Sequence, residues 1–256
     1  MSQGPCILAV ETSSRIGSVA IAVGGQILAE SEFSGRMRHS MEIFPSIVEL
    51  LGRVGKRPYH IEHIYISGGP GSFTGLRIAV TLAKVLHLAV KTKIVQVDTL
   101  DVIASNLDDF QPDERDAEEH FEKIKAFGKI AAILDAKRGQ FYVAVYQQNN
   151  DEATGGYPEF KDYRKVLPDS LMSCSEFLSR FACIREPIWL LGDGLLYHKD
   201  EFKAEGVRFF DEKYWSPRAN KVHALGWQMA RKSIFADPLS LTPFYLNRPD
   251  IVVKSR

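Results

Sequence analysis

The order of predicted strands and helices occurs twice along this 256-residue chain, and this duplication constrains the fold more than any other feature of the sequence. Strands follow from short runs rich in apolar and β-branched residues, and helices from apolar residues spaced three or four apart. The first half predicts the order βββαβαβα, at residues 6–11, 17–23, 26–33, 39–54, 61–67, 73–90, 94–97 and 99–107. The second half predicts the same order, at residues 129–135, 140–146, 160–167, 173–181, 187–191, 197–204, 207–210 and 218–234. The halves share almost no identical residues, so the topology repeats and the sequence does not.

The duplicated βββαβα pattern predicts an α/β fold with two ribonuclease-H-like lobes. By analogy at the level of the fold, this is the architecture of the actin, sugar kinase and heat-shock ATPase (ASKHA) superfamily. The predicted domains are an N-terminal lobe at residues 1–107, an acidic linker or insertion at 108–128, and a C-terminal lobe at 129–256. A solvated linker is the preferred interpretation of the acidic segment, and an interaction tail is the alternative.

Charge and cysteine content narrow the class of protein. Lys and Arg number 32, as do Asp and Glu, so no overall field draws the chain to nucleic acid or to a membrane surface. Cys6, Cys174 and Cys183 show no metal-type spacing and are typical of a reducing compartment. The N-terminal residues lack the order of a secretory signal, and no charge-free apolar run reaches membrane-spanning length. These features predict a cytoplasmic protein without membrane contact.

Acidic and hydroxyl residues follow the first strand of each half. Glu11, Thr12 and Ser13 come at the end of the first strand, and Asp135 occupies the matching place in the second half. In a two-lobed ATPase such turns face one cleft, where a carboxylate can hold Mg²⁺ through water and hydroxyls can contact phosphate. The alternative is that Glu11 and Thr12 only shape the turn, through bonds from side chain to backbone. Because no lysine-bearing phosphate loop lies nearby, both interpretations stay open.

The glycine loop, residues 68–75, lies between a predicted strand and a predicted helix. Gly69, Gly71 and Ser72 are its candidate phosphate contacts, because a glycine-rich turn opening a helix presents free N–H groups to an anion. The loop lacks the lysine of a Walker loop and the spacing of a dinucleotide fingerprint. A tight connection between strand and helix is therefore favoured. The loop also lacks the serine position of a G-x-S-x-G elbow, so nucleophilic catalysis has little support.

Two helices have more apolar surface than one sheet can cover. The helix at 39–54 has two apolar stripes, and the helix that opens after the glycine loop is apolar almost all the way round from residue 78 to 90. Surplus apolar surface usually marks a protein interface. The predicted interface residues are Met37, Met41, Phe44, Val48, Leu51, Ile78, Leu82 and Val85. The alternative is that the second lobe or the C-terminal tail covers this surface.

Motifs spread along nearly the whole chain resemble those of the TsaB (YeaZ) family. Residues 7–13, ILAVETS, resemble the family's opening ILAxDTS, with Glu11 in place of the more usual Asp. Residues 69–77, GPGSFTGLR, are similar to its most distinctive motif, GPGSFTGxR. Supporting matches are His39 with Phe44-Pro45, residues 135–142 (DAKRGQFY), residues 192–194 (GDG) and residues 241–246 (LTPFYL).

The resemblance implies a scaffold and activator without catalytic residues. Members of this family pair with TsaD, and with TsaE, in making threonylcarbamoyladenosine in tRNA, and pair with themselves when TsaD is absent; contact with tRNA is indirect. TsaD-like proteins carry two metal-binding histidines in VNHLEGH, where this chain has Thr99 and Ile103. Thr is a poor metal ligand and Ile cannot be one. The resemblance therefore implies no metal and no cofactor bound by this chain alone, with ATP or ADP and Mg²⁺ at the level of the complex.

Three enzymatic alternatives remain beside the scaffold. One is a nucleotide-dependent kinase or ATPase that uses Glu11 and Asp135 with Mg²⁺. Another is a metal-dependent transferase of the TsaD type, against which the missing histidines argue. A third is a protease acting on TsaD.

Overall fold

The computed structural model describes residues 4–33, 39–110, 128–148 and 163–246, with residues 39–41 as backbone only. These residues form two five-stranded sheets. The first sheet has the order β3-β2-β1-β4-β5 and contains β1 (Cys6–Glu11), β2 (Gly17–Val23), β3 (Gln26–Phe33), β4 (His63–Gly69) and β5 (Lys93–Asp98). The second has the order β10-β9-β6-β7-β8 and contains β6 (Lys129–Lys137), β7 (Gln140–Gln148), β8 (Tyr163–Ser173), β9 (Ile188–Leu191) and β10 (Val207–Phe209).

The two sheets have the same topology. Strand β1 pairs antiparallel with β2 and parallel with β4, and β6 pairs antiparallel with β7 and parallel with β9. Each lobe thus runs a three-stranded meander and then adds two parallel strands through helical crossovers on the far side of its first strand. The predicted duplication of a ribonuclease-H-like lobe is confirmed.

Six α-helices lie in the described part of the chain. They are α1 (His39–Arg53), α2 (Phe73–Val90), α3 (Thr99–Ala104), α4 (Cys174–Phe181), α5 (Leu195–His198) and α6 (Ala219–Arg231). The helix predicted at 99–107 ends as an α-helix at Ala104 and continues as a 3-10 turn over Ser105–Asp109. The helix predicted at 197–204 is wrong in extent, since only the single turn α5 is α-helical.

Strand β8 is longer than the predicted strand at 160–167. The described strand begins at Tyr163 and continues through Pro168 to Ser173. Pro168 lies at an irregularity in the pairing with β7, between Leu167, which pairs with Val145, and Ser170, which pairs with Val143. A proline is tolerated at a bulge on an edge strand because it has no N–H to give to the ladder.

Alternating side chains of β1 enter two different cores. Leu8 and Val10 pack on one face of the first sheet with residues of α1 and α2. Ile7 and Ala9 pack on the other face with α6. Because both faces are covered, the strand reads as a continuous apolar run, as parallel central strands do.

The two predicted lobes exchange a helix each. Helix α3, from the first half, packs its Leu100 and Ile103 into the core of the second sheet. Helix α6, at the end of the second half, packs Val222 and Leu225 on the first sheet. The predicted bounds at residues 107 and 129 therefore do not separate the two packing units. Most of the predicted acidic linker, residues 111–127, lies outside the described part of the chain.

Candidate functional site

Glu11, the last residue of β1, is fully buried and bound by its own chain. One carboxylate oxygen accepts hydrogen bonds from the backbone N–H and the hydroxyl of Ser13, both at 2.5 Å, and the other accepts one from the hydroxyl of Ser67. Burial raises the pKa of Glu11, and these hydrogen bonds oppose the rise. These contacts favour the second of the two interpretations, in which Glu11 shapes the turn after β1, while a nucleotide or phosphate contact by Glu11, Thr12 and Ser13 remains a prediction.

The glycine loop packs against that turn through backbone contacts. The N–H of Ser72 donates to the carbonyl oxygen of Ser13 at 2.7 Å, and the hydroxyl of Thr12 donates to the carbonyl oxygen of Gly75 at 2.7 Å. A Cβ at Gly71 would lie 2.4 Å from the Ser13 carbonyl oxygen, so only glycine allows this approach. The Ser72 hydroxyl accepts from the N–H of Gly75 at 3.3 Å and caps α2. These contacts favour the tight-connection interpretation, while phosphate contacts by Gly69, Gly71 and Ser72 remain a prediction.

The second lobe has an equivalent pair of turns. Asp135 lies near the end of β6, and its carboxylate accepts from the backbone N–H of Lys137 at 2.7 Å and forms an ion pair with the ammonium of the same residue. Burial raises the pKa of Asp135, but the hydrogen bonds and the charge of Lys137 lower it by more, so the pKa lies below its ordinary value. The Gly192-Asp193-Gly194 turn follows β9, and a Cβ at Gly194 would lie 2.8 Å from the Asp135 nitrogen.

Asp193 joins the two lobes across the cleft. Hydrogen bonding from the backbone N–H of Arg15 and from the side chain of Ser14 acts to lower the pKa of its carboxyl group. Burial, with added repulsion from Glu11 and Asp135, raises the pKa of Asp193 to about 7. The structure therefore brings the predicted Glu11 and Asp135 toward one cleft, but around a third carboxyl group. Asp193 was not predicted as a site residue. The signal that could have found it is its place between two glycines after β9, the strand equivalent to β4.

Arg15 also closes the cleft from outside. Its guanidinium lies 4.7 Å from the ring centroid of Tyr197, on α5, and donates a hydrogen bond to the hydroxyl of Tyr197. Among the described residues, no group of three or more His, Cys, Asp or Glu is arranged to hold a metal ion. A Mg²⁺ ion held through water by Glu11 and Asp135 stays a prediction.

The second candidate site is an exposed apolar face on α1 and α2. Both helices cover the same side of the first sheet, and together they bury Ile43, Ile47 and Ala79 against it. Four apolar side chains of these helices are more than half exposed, and they define the exposed apolar face: Phe44, Val48, Val85 and Leu88. Phe44, Val48 and Val85 were predicted as interface residues. Leu88 was not predicted as an interface residue, although it lies within the apolar stretch at residues 78–90 of the predicted helix.

Three of the predicted interface residues are not on this face. Leu51 and Leu82 are 1% and 5% exposed and belong to the core between the helices and the first sheet. Ile78 is half-buried against the same core. Helical periodicity cannot separate the side that faces a neighbouring helix from the side that faces solvent, and this is why both leucines were misassigned. Met37 and the side chain of Met41 lie outside the described residues.

Helix α2 has, by length and composition, the properties of a membrane span. It buries Leu76, Ala79 and Ala83 in the first lobe, and its Ser72 cap is bound to the glycine loop. The same composition arises when one side of a helix packs on a sheet and the other remains apolar and exposed. This arrangement fits a lobe helix with an interaction surface.

Thr99 is the first residue of α3 and Ile103 lies one turn later in the same helix, and both are fully buried. The hydroxyl of Thr99 has no hydrogen-bond partner among the described residues, and Ile103 packs in the core of the second sheet. A depression of about 640 Å³ opens at the carboxyl ends of β4 and β5. It is lined by Gly68, Gly69, Gln96, Val97, Asp98 and residues 242–245.

Comparisons with known proteins find a matching family model, relatives in sequence and a structure of the same fold. The family model described as TsaD, tRNA N6-adenosine threonylcarbamoyltransferase, matches residues 26–159. The tRNA threonylcarbamoyladenosine biosynthesis protein TsaB of Bacillus subtilis is 29% identical over 251 residues, which are 97% of this chain and 96% of that protein. TsaB of Buchnera aphidicola subsp. Acyrthosiphon pisum is 31% identical over 166 residues, 64% of this chain and 68% of its own length. The structure of YeaZ from Pseudomonas aeruginosa superposes with a TM-score of 0.70 at 20% identity, covering 94% of this chain and all of the other.

Proposed function

This chain belongs to the TsaB family, within the wider family that the TsaD model describes, and we propose that it acts in the synthesis of threonylcarbamoyladenosine in tRNA (t6A) as a non-catalytic subunit that binds TsaD. The similarity to TsaB of Bacillus subtilis extends over nearly all of both chains. In the complex the chain is a scaffold and activator, with TsaE as a further partner and tRNA as an indirect one. Its place is the cytoplasm.

The exposed apolar face is the observation that carries the scaffold proposal. Phe44 and Val48 are one turn apart on α1, and Val85 and Leu88 are one turn apart on α2, so each helix presents an apolar pair to solvent. Large apolar side chains grouped in this way favour a protein partner, and aromatic and aliphatic anchors supply most of the affinity of such interfaces. TsaD is the proposed partner, and a second copy of the chain takes its place when TsaD is absent.

Two observations support the absence of catalysis. Thr99 and Ile103, which replace the metal-binding histidines of TsaD-like proteins, are buried and cannot form a metal site. Glu11, the residue on which a kinase or ATPase would depend, is bound by Ser13 and Ser67. We place ATP or ADP and Mg²⁺ at the level of the assembled complex.

Co-purification with TsaD, followed by an assay of t6A formation, tests the proposal. Val48→Asp and Val85→Asp place a charge on the exposed apolar face, and both are expected to abolish co-purification and t6A formation while the chain stays folded. Ile184→Asp is the matched control, because Ile184 is an exposed apolar residue of the second lobe. Normal binding by both face variants would show that another surface binds TsaD. Turnover of ATP by the isolated chain would contradict the non-catalytic role.

A further inference from the structure

A cluster of charged residues outside the cleft joins α3 to the edge strand β8. The Lys165 ammonium lies 3.1 Å from a carboxylate oxygen of Asp98, 2.8 Å from one of Asp101 and 2.7 Å from one of Asp169. The Tyr146 hydroxyl, on β7, donates to Asp101 at 2.7 Å. Among the described residues, three carboxyl groups therefore share the ammonium of Lys165.

Burial makes this excess of negative charge costly. The side chains of Asp101 and Asp169 are 4% and 6% exposed, and that of Lys165 is 19% exposed. If all three carboxyl groups were ionised, the cluster would carry two uncompensated charges in a region with little water. Buried carboxylates near one another avoid this by keeping a proton on one of them.

Asp169 is the group that the contacts single out. Its Oδ1 is bound by Lys165, but its Oδ2 is buried and has no hydrogen-bond partner among the described residues when the group is taken as a carboxylate. A proton on Oδ2 would turn this unpaired acceptor into a donor, and the carboxylate of Asp98, which binds the same Lys165 ammonium as Asp169 does, is a neighbouring acceptor. Burial, then the charge of Asp98, raises the pKa of Asp169 to about 8.

Asp98 is already fixed in position by the first lobe. It ends β5, and its other carboxylate oxygen accepts from the backbone N–H groups of Leu100 and Asp101, at 2.8 and 3.4 Å, as the N-cap of α3. A hydrogen bond from Asp169 to Asp98 would therefore connect the second sheet to the point where the chain leaves the first sheet.

We propose that Asp169 is a neutral carboxylic acid near neutral pH, donates its proton to Asp98, and with Lys165 clamps strand β8 to the amino end of α3. The clamp fixes the junction at which α3 leaves the first sheet and packs on the second. Loss of the proton leaves two neighbouring carboxylates facing each other beside one ammonium, and the junction weakens. In the described part of the chain, the charged and titratable groups that face Asp169 are Asp98, Lys165 and Tyr146, with Asp101 bound to the same ammonium. This device is separate from the exposed apolar face and does not depend on the proposed function.

The dependence of stability on pH tests the clamp in the full chain. In the unfolded chain Asp169 has the ordinary pKa of an aspartic acid, so a raised pKa in the folded chain gives stability that is lost as pH rises toward about 8. Between pH 7 and 9 the unfolding constant of the wild type is expected to rise about tenfold relative to Asp169→Asn, which keeps a neutral donor at all pH values. Asp200→Asn is the control, because Asp200 is an exposed residue outside the cluster, and it should follow the wild type.

A second variant keeps the proposal testable if Asp169→Asn does not fold. Asp98→Asn keeps the cap of α3, since Asn caps a helix as well as Asp does, but removes the charge that raises the pKa of Asp169. The carboxyl carbon of Asp169, followed by NMR, should titrate well above the ordinary range in the wild type and at lower pH in Asp98→Asn. Titration of Asp169 near pH 4 in the wild type, or parallel unfolding curves for the wild type and Asp169→Asn, would overturn the clamp.

Discussion

The carbonyl oxygen of Thr12 lies where a side chain on Gly75 would begin, since a Cβ at Gly75 would sit 1.7 Å from that oxygen. A hydrogen bond holds the same two residues together, because the Thr12 hydroxyl donates to the carbonyl oxygen of Gly75 at 2.7 Å. The glycine here is required by the close approach of the first helical turn of α2 to the turn after β1. The most distinctive motif of the sequence therefore fixes the helix that carries half of the exposed apolar face.

Gly75→Ala is expected to lower the free energy of unfolding by about 2 kcal/mol or more, because the added methyl overlaps backbone atoms that cannot move aside. Gly52→Ala is the matched control. Gly52 lies in α1 with no atom within 4 Å of an added Cβ, so the substitution should raise stability by about 0.5–1 kcal/mol through helix propensity. Denaturant unfolding of the two variants measures both effects. Equal stability of the two variants would contradict the role assigned to Gly75.

Two leucines of α2 are expected to respond in opposite ways to the same substitution. Leu82 is 5% exposed and Leu88 is 70% exposed. Leu82→Asp puts a carboxylate into the core and should destabilise the lobe by about 3 kcal/mol or more, whereas Leu88→Asp should leave stability nearly unchanged. Thermal unfolding of the two variants measures this difference in stability. The proposed self-association gives a separate test of Leu88. Analytical ultracentrifugation is expected to show association of the wild type that Leu88→Asp loses; equal association of the two proteins would show that Leu88 is not at the interface.

The contact of Arg15 with Tyr197 is expected to contribute modestly to closure of the cleft. An exposed cation–π contact is worth about 0.5–1 kcal/mol, and Tyr197→Phe keeps the ring while Tyr197→Ala removes it. A double-mutant cycle with Arg15→Ala measures the coupling. Arg15→Ala should cost most with Tyr at position 197, less with Phe, which keeps the ring but not the hydroxyl that Arg15 binds, and nothing with Ala. An equal cost in all three backgrounds would mean that the contact does not hold the lobes together.

Asp193 should make the stability of the chain depend on pH below neutrality. Burial raises its pKa to about 7, so its contribution to stability is complete below the ordinary pKa of an aspartic acid and is lost as pH rises toward 7. The free energy of unfolding of the wild type is therefore expected to fall relative to that of Asp193→Asn between pH 5 and 7. Measurements of unfolding at matched ionic strength decide the point. A constant difference between the two proteins over this range would show that Asp193 titrates normally in the folded chain.

The sequence alone determined the elements of the first lobe and the duplication of the fold. Strands β1, β2 and β3 and helix α2 begin and end at the predicted residues, and the order of strands in both sheets follows from the repeated pattern. These features are local, because a period of two or of 3.6 residues and a capping serine are properties of neighbouring residues. The surplus of apolar residues on α1 and α2 was also visible in the sequence.

Only the tertiary structure decided which residues of each element meet distant parts of the chain. It showed that α3, from the first half, packs on the second sheet and that α6, from the second half, packs on the first. It also showed that Leu82 lies in the core while Leu88 is exposed. It also brought Asp169 and Asp98, which are far apart in the sequence, to the same Lys165 ammonium. Such relationships depend on how packed elements are placed in space, and helical or strand periodicity specifies a face of an element but not the neighbour that will cover it.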